Sequence, residues 1–271
     1  MVIQVRGVPV FYEEAGAGRP LLMLHGWPLD HNYMMSDLEP VFETRVGWRR
    51  LYPDLPGMGR TPGAHWITGH EHMLDIVLGF MDAMAPGERI VAAGTSYGAK
   101  LARGLLQRRQ AQMDGLLLLV PGLPEPENGQ RPPHQVVARE SGFEAALRPD
   151  ERDLLTFLVV QNFEVLEYLR TLIGPAANLA DQAALGRIKE SFTFELDTLR
   201  EPFLAPALML CGRQDSWSGF HGAMRLLDDC PRGTLAVLDR AGHGLAREQR
   251  CLVHTLVGEW LDRVEEYVLA H

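Results

Sequence analysis

The chain has 271 residues, 46% hydrophobic and 23% charged, enough for one sizeable core and without the roughly 18-residue apolar run that a bilayer crossing needs. A formal net charge of −9, relieved only by short basic pairs such as Arg49-Arg50 and Arg108-Arg109, argues against nucleic acid or an anionic membrane as partner. Three cysteines, Cys211, Cys230 and Cys251, are an odd number with no C-x-x-C spacing, so a reduced cytoplasmic protein is expected rather than a disulfide scaffold or zinc site.

In chain order, residues 2–6 and 8–14 read as an antiparallel hairpin turned at Gly7, starting at once without the basic and apolar regions of a signal peptide. From Pro20 a continuous apolar run enters His25-Gly26-Trp27-Pro28, the pattern of a strand buried on both faces of a parallel sheet. A helix is expected over 33–42 and a strand over 49–52, followed by a loop dense in Pro and Gly, Pro53 to Gly63. Helical periodicity over 71–84 puts Met73, Leu74, Val77, Leu78 and Met81 on one face. Another apolar strand precedes Ser96, an amphipathic helix follows it, and residues 114–120 form the next buried strand, stopped by Pro121-Gly122.

Strand-like sequence returns at 207–211, followed by a helix near 219–229, a strand over 234–238 and a last helix over about 247–269. The buried stripe of that helix is Val253, Leu256, Val257, Trp260, Leu261 and Val264. Between 122 and 205, a Pro-rich start (Pro124, Pro126, Pro132, Pro133) gives way to helix-like segments around 135–147, 150–173 and 178–190. The expected fold is therefore α/β, a mostly parallel central sheet with helices on both faces, made of residues 1–121 and 206–271 and interrupted by a helical insertion at 122–205.

The sequence is organised around Gly94-Thr95-Ser96-Tyr97-Gly98, a G-x-S-x-G between a strand and a helix. A serine on so sharp a turn sits in strained backbone, and a Cβ at either flanking glycine would meet the neighbouring strand or helix. Ser96 is thus the candidate nucleophile, and the Tyr97 N–H, at a helix N-terminus, a candidate donor to an oxyanion. A serine needs a base, and His243 in Gly242-His243-Gly244 follows the last expected strand. The carboxylate that would orient it is Asp215, after the next-to-last strand, with Glu125 and Asp239 as competing acids. The Trp27 N–H is the candidate second oxyanion donor, and the side chains of Trp27, Tyr97 and Trp217 are candidates for contact with substrate.

With His25-Gly-Trp-Pro, Gly94-Thr-Ser96-Tyr-Gly98, Gly212-Arg-Gln-Asp215 and Gly242-His243 in register, the chain resembles the α/β-hydrolase superfamily over its whole length apart from the insertion. The insertion is similar to the cap of that family, and Asp54-Leu-Pro-Gly57-Met-Gly59-Arg-Thr61 to its loop after the fourth strand, with Thr61 where serine is common. His-Gly-Trp-Pro is also similar to epoxide hydrolases, dehalogenases and cofactor-free haloperoxidase-type esterases. The first two carry aspartate at the elbow, where this chain has Ser96. Ala99 and Tyr97 depart from the haloperoxidase-like pattern. The resemblance implies a cofactor-free serine hydrolase acting on an ester-like bond of a small, largely apolar molecule. The alternatives are a C–C bond hydrolase or lactonase using the same triad, or a non-catalytic receptor retaining the fold. No metal is expected, because His70 and His72, beside His65 and Glu71, point to different sides of a helix. Asp54 is expected to brace its loop, and Phe192 and Phe194 to pack in core or pocket.

Overall fold

Short runs of Leu, Val, Ile and Ala build the sheet on which everything else rests, and the computed structural model describes residues 1–122, 131–190, 199 and 201–271. The first elements are β1 (Val2–Val5), β2 (Val8–Ala15), β3 (Arg19–Leu24), α1 (His31–Leu38), β4 (Trp48–Pro53), α2 (His70–Met84), β5 (Ile90–Thr95), α3 (Tyr97–Arg109) and β6 (Met113–Leu119). The insertion contributes β7 (Ala138–Arg139), α4 (Phe143–Ala146), β8 (Val160–Gln161), α5 (Phe163–Tyr168), α6 (Gly174–Leu179) and α7 (Gln182–Glu190). The chain ends with β9 (Ala207–Gly212), α8 (His221–Leu226), β10 (Gly233–Leu238), α9 (Leu245–Glu248) and α10 (Arg250–Ala270). The main sheet has the order β1-β2-β4-β3-β5-β6-β9-β10, with β1–β2 and β2–β4 antiparallel and every later neighbour parallel.

Side-chain alternation along these strands divides the core in two. Leu22, Leu24, Ala92, Leu116 and Leu118 meet α2, α3 and α8 on one face. Leu21, Met23, Val91, Leu117 and Leu119 meet α1 and α10 on the other, where Trp260 is fully buried and its indole N–H donates to the Pro206 carbonyl at 3.1 Å. Helices on both faces leave the carboxyl ends of the parallel strands as the edge at which loops from several strands converge.

The insertion joins β6 to β9 and has its own small apolar cluster, Phe143, Leu155, Leu158, Val165, Leu166 and Leu169. Its long helices are not those expected. Residues 135–147 hold β7 and the one-turn α4, and 150–173 is broken where Val160–Gln161 pairs with Ala138–Arg139. The break has a local cause: the Asn162 side chain accepts from the Val165 N–H at 2.8 Å, which caps a new helix at Phe163, while Gly142 at φ +82° ends the approach to α4. The final helix is also divided, α9 from α10, at Gln249 (φ −131°, ψ 42°). Glu125, Phe192 and Phe194 lie outside the described residues.

Two buried carboxylates of the core, among other contacts, tie the insertion down. The Tyr168 hydroxyl donates to the buried Asp37 carboxylate at 3.2 Å, which also accepts from Arg247 Nε at 2.9 Å. The Glu248 carboxylate accepts from the backbone N–H groups of Val159 (2.5 Å), Val160 (2.9 Å) and Gly242 (2.6 Å). Among the described residues no helix is long and apolar enough to cross a membrane.

Candidate active site

Strand β5 delivers the chain to Ser96 at φ 50° and ψ −112°, a conformation that a residue with a side chain adopts only under constraint. The constraint is visible around it. Ser96 N–H donates to the Leu119 carbonyl at 2.9 Å, and its own carbonyl accepts from Lys100 N–H at 3.2 Å. A Cβ on Gly94 would collide with the Gly98 carbonyl, and one on Gly98 with the Leu24 carbonyl, so helix, elbow and neighbouring strand approach this closely only because both positions are glycine.

Two further loops reach the same point. His243 stands two residues before the start of α9, its N–H donating to the Phe157 carbonyl of the insertion at 3.0 Å. Its Nε2 lies 2.9 Å from Ser96 Oγ and its Nδ1 2.9 Å from Asp215 Oδ2. Asp215 is fully buried, and its other oxygen accepts from the Trp217 and Ser218 N–H groups, each at 2.9 Å. One oxygen is thus committed to the backbone and the other to the imidazole. The loops carrying Asp215 and His243 touch at Gly212, where a Cβ would strike the Gly242 carbonyl. Of the competing acids, Asp239 instead accepts from Gln214 Nε2 at 3.2 Å.

The loop after β3 runs at contact distance from Ser96, since a Cβ on Gly26 would sit 3.4 Å from the Ser96 Cβ. Buried His25 fixes that loop: its Nδ1 lies 2.9 Å from the Gly26 carbonyl and its Nε2 accepts from Leu55 N–H at 3.0 Å. Nδ1 therefore carries the proton, and burial lowers the histidine pKa so that it stays neutral. Trp27 follows, its ring edge-on to Tyr97 at 5.1 Å, and Tyr97 occupies the first position of α3, where the N–H has no intrahelical acceptor. Asp54 accepts from the backbone N–H groups of His31 and Arg60, each at 2.8 Å, and from His31 Nδ1 at 2.9 Å, which braces the Pro/Gly-rich loop.

A sequence profile of the alpha/beta hydrolase family matches residues 21–253. The chain belongs to this family. Its similarity to the AB hydrolase superfamily protein YisY of Bacillus subtilis (strain 168) is 27% identity over 265 residues, 93% of this chain and 95% of that one. An alpha/beta superfamily hydrolase from Oenococcus oeni PSU-1 has the same fold, with a TM-score of 0.85 and 24% identity over 98% of this chain and 99% of that one. So does a thermophilic esterase from Thermogutta terrifontis, with a TM-score of 0.71 and 23% identity over 97% and 99% of the two chains.

Two cavities meet at Ser96, sharing Trp27, Ser96, Trp217 and His243 as walls. The smaller, about 210 Å³, continues between core and insertion, past Leu29, Tyr33, Leu154, Phe157, Ile173 and Ala177. The larger, about 360 Å³, continues past His70, Lys100, Arg131 and Lys189. Trp217 lies 5.3 Å from the His243 ring and 5.5 Å from that of Phe157. His70 Nδ1 is 2.8 Å from the Tyr97 hydroxyl, and burial together with the charge of Lys100 lowers its pKa to about 4, so it is neutral. No group of three or more His, Cys, Asp or Glu is placed to hold a metal among the described residues.

The structure adds residues that carried no sequence signal. Ser218 Oγ lies 3.3 Å from His243 Nδ1. Glu248 binds the backbone just before His243 to the insertion. Lys100, one helical turn past the nucleophile, reads in sequence as an ordinary surface lysine.

Proposed function

We propose that this chain is a serine hydrolase that cleaves an ester-like bond of a small, largely apolar molecule through an acyl-enzyme. Ser96 Oγ attacks the ester carbonyl while His243 Nε2 takes its proton, and Asp215 holds the imidazole in the required tautomer and stabilises the imidazolium. The tetrahedral oxyanion accepts hydrogen bonds from the Trp27 and Tyr97 N–H groups. Collapse breaks the ester C–O bond, and the leaving alkoxide takes the proton from His243. Water, deprotonated by the same imidazole, then attacks the acyl-enzyme, releasing the carboxylic acid and restoring Ser96. The sequence needs no cofactor.

The observation that carries the reading is the unbroken chain Ser96 Oγ, His243 Nε2, His243 Nδ1, Asp215 Oδ2, with both contacts 2.9 Å, opening onto two cavities. Residues 122–205 act in this reading as a cap: Leu154, Phe157, Ile173 and Ala177 close the smaller cavity, excluding water and selecting an apolar group. Trp27, Tyr97 and Trp217 contact the substrate. The three free cysteines, two of them buried, are in keeping with work in a reducing cytoplasm.

The test is covalent labelling by a small fluorophosphonate followed by intact-mass measurement, beside hydrolysis of p-nitrophenyl esters of graded acyl length. One adduct on the wild type and none on Ser96→Ala, with hydrolysis lost in the variant, is expected. An adduct that persists in Ser96→Ala, or no adduct and no hydrolysis, would overturn the proposal.

A further inference from the structure

The two cavities that meet at Ser96 differ in chemistry, and that difference bears on what the substrate carries. Apart from the shared walls and Thr95, the smaller is lined by aliphatic and aromatic residues and Gly26. The larger has three cations in its wall, Lys100, Arg131 and Lys189, and no acidic residue among its described lining. Among the described residues, every side chain with a fixed formal charge in this wall is positive, although the chain as a whole carries −9.

Lys100 is the fixed member of the three. It sits on α3 one turn beyond Ser96, and its half-buried ammonium has a pKa lowered by loss of solvent. Its place in the cavity wall puts an ammonium within reach of an anion held beside Ser96. Its charge helps to keep His70, on the same wall, neutral. Arg131 and Lys189 are exposed and are supplied to the cavity wall by the insertion.

From this, and resting on the serine-hydrolase reading, we propose that the substrate is an ester bearing a carboxylate: its apolar limb lies among Leu154, Phe157 and Ile173, its carboxylate among Lys100, Arg131 and Lys189, and its ester carbonyl at Ser96 between them. The largely apolar molecule proposed above thus carries one charged end. The cations also draw an anionic substrate toward a mouth that the overall negative charge would otherwise disfavour.

The test uses two matched ester pairs. Mono-p-nitrophenyl glutarate is compared with p-nitrophenyl pentanoate, which places the charge on the acyl limb, and 4-acetoxybenzoate with methyl 4-acetoxybenzoate, which places it on the leaving limb. Each kcat/KM is divided by the rate of uncatalysed hydroxide hydrolysis. A charge-assisted contact predicts that the wild type prefers the charged member of one pair by about tenfold or more. That ratio should fall toward one in Lys100→Gln and in the double variant Arg131→Gln/Lys189→Gln, and persist in Lys100→Arg. Circular dichroism confirms that each variant folds, and the exposed pair supplies the reading if Lys100→Gln does not. A wild-type ratio at or below one in both pairs, or a preference that neither charge-removing change reduces, overturns the carboxylate proposal while fluorophosphonate labelling of Ser96 still stands. If Ser96 is not labelled, the parent reading fails and this inference falls with it.

Discussion

Replacing Glu248 with glutamine tests how firmly the His243 loop is anchored. The carboxylate receives three backbone N–H groups, two from the insertion and one from Gly242, the residue before His243. In Glu248→Gln the amide oxygen can keep accepting from Val159 and Val160, but the amide nitrogen then faces the Gly242 N–H, donor against donor. A buried N–H without an acceptor costs about 1–3 kcal/mol, and the retained bonds lose their charge assistance, offset in part because a neutral amide is cheaper to bury. The expected net loss is about 2 kcal/mol in urea denaturation. Freeing Gly242 also loosens the 2.9 Å contact of His243 with Ser96. A displacement approaching an ångström costs on the order of a hundredfold in rate, so hydrolysis and fluorophosphonate labelling should slow by roughly tenfold to a hundredfold.

The pH dependence has a definite sign. Burial raises the Glu248 pKa above the ordinary glutamate value, against the pull of the three N–H donors. The native state therefore binds this proton more tightly than the unfolded chain, and the stability it contributes is full in acid and declines as pH rises through the raised value. A protonated carboxyl still offers its hydroxyl oxygen to Gly242, whereas an amide nitrogen does not. The gap between wild type and variant should therefore be narrower at about pH 8 than at about pH 4, on either side of the ordinary glutamate range. A gap below about 0.5 kcal/mol at both values, or one that widens with pH, would refute the anchoring argument.

Asp215→Asn should keep the fold and lower kcat by about 10⁴-fold, because an amide N–H turned toward Nδ1 favours the wrong imidazole tautomer; a near-normal rate would move the orienting acid elsewhere. His70 should show no imidazole titration by NMR between about pH 5 and about pH 8, since burial and Lys100 lower its pKa to about 4, and its contribution to stability should be lost only as pH falls from the ordinary histidine range through that value. Trp260→Ala should cost about 3–5 kcal/mol in urea denaturation, the price of a cavity at a fully buried site whose indole also donates to Pro206. Ile173→Ala, which widens the smaller cavity, should shift the p-nitrophenyl ester optimum to longer chains; an unchanged optimum would place the apolar limb elsewhere.

The sheet was legible because its signals are local. The run of leucines at 116–119 is buried on both faces, and Gly94 and Gly98 flank Ser96 for the steric reason that the Leu24 and Gly98 carbonyls make concrete. Asp215 and His243 were legible from position, each following one of the last two strands and therefore arriving at the same sheet edge. The insertion was not legible in detail. Its leucines keep helical spacing over 150–173, but a capping Asn162 and a two-residue strand pair turn the chain before a long helix can form. Nor was Glu248: an isolated acid in a helical stretch reads as solvated surface, and only the arrival of Val159 and Val160 from about ninety residues earlier makes it an anchor. The charge of the larger cavity is hidden in the same way, since Lys100 and Lys189 are far apart in the chain and meet across a gap only the fold creates.

The pairing of β6 with β9 also shapes how the protein folds. Leu116 lies beside Ala207, so a loop of about ninety residues must close before β9 can join the sheet, and β10 has its place only against β9. Ser96 belongs to the segment before that loop, Asp215 and His243 to the segment after it. Refolding therefore forms the hairpin, α2, α3 and the elbow from contacts near in sequence, while the three residues that meet at the site come together only with the slowest, most distant pairing. Recovery of helix and strand signal should precede recovery of hydrolysis, and a chain caught in between exposes an apolar edge of β6 to its neighbours.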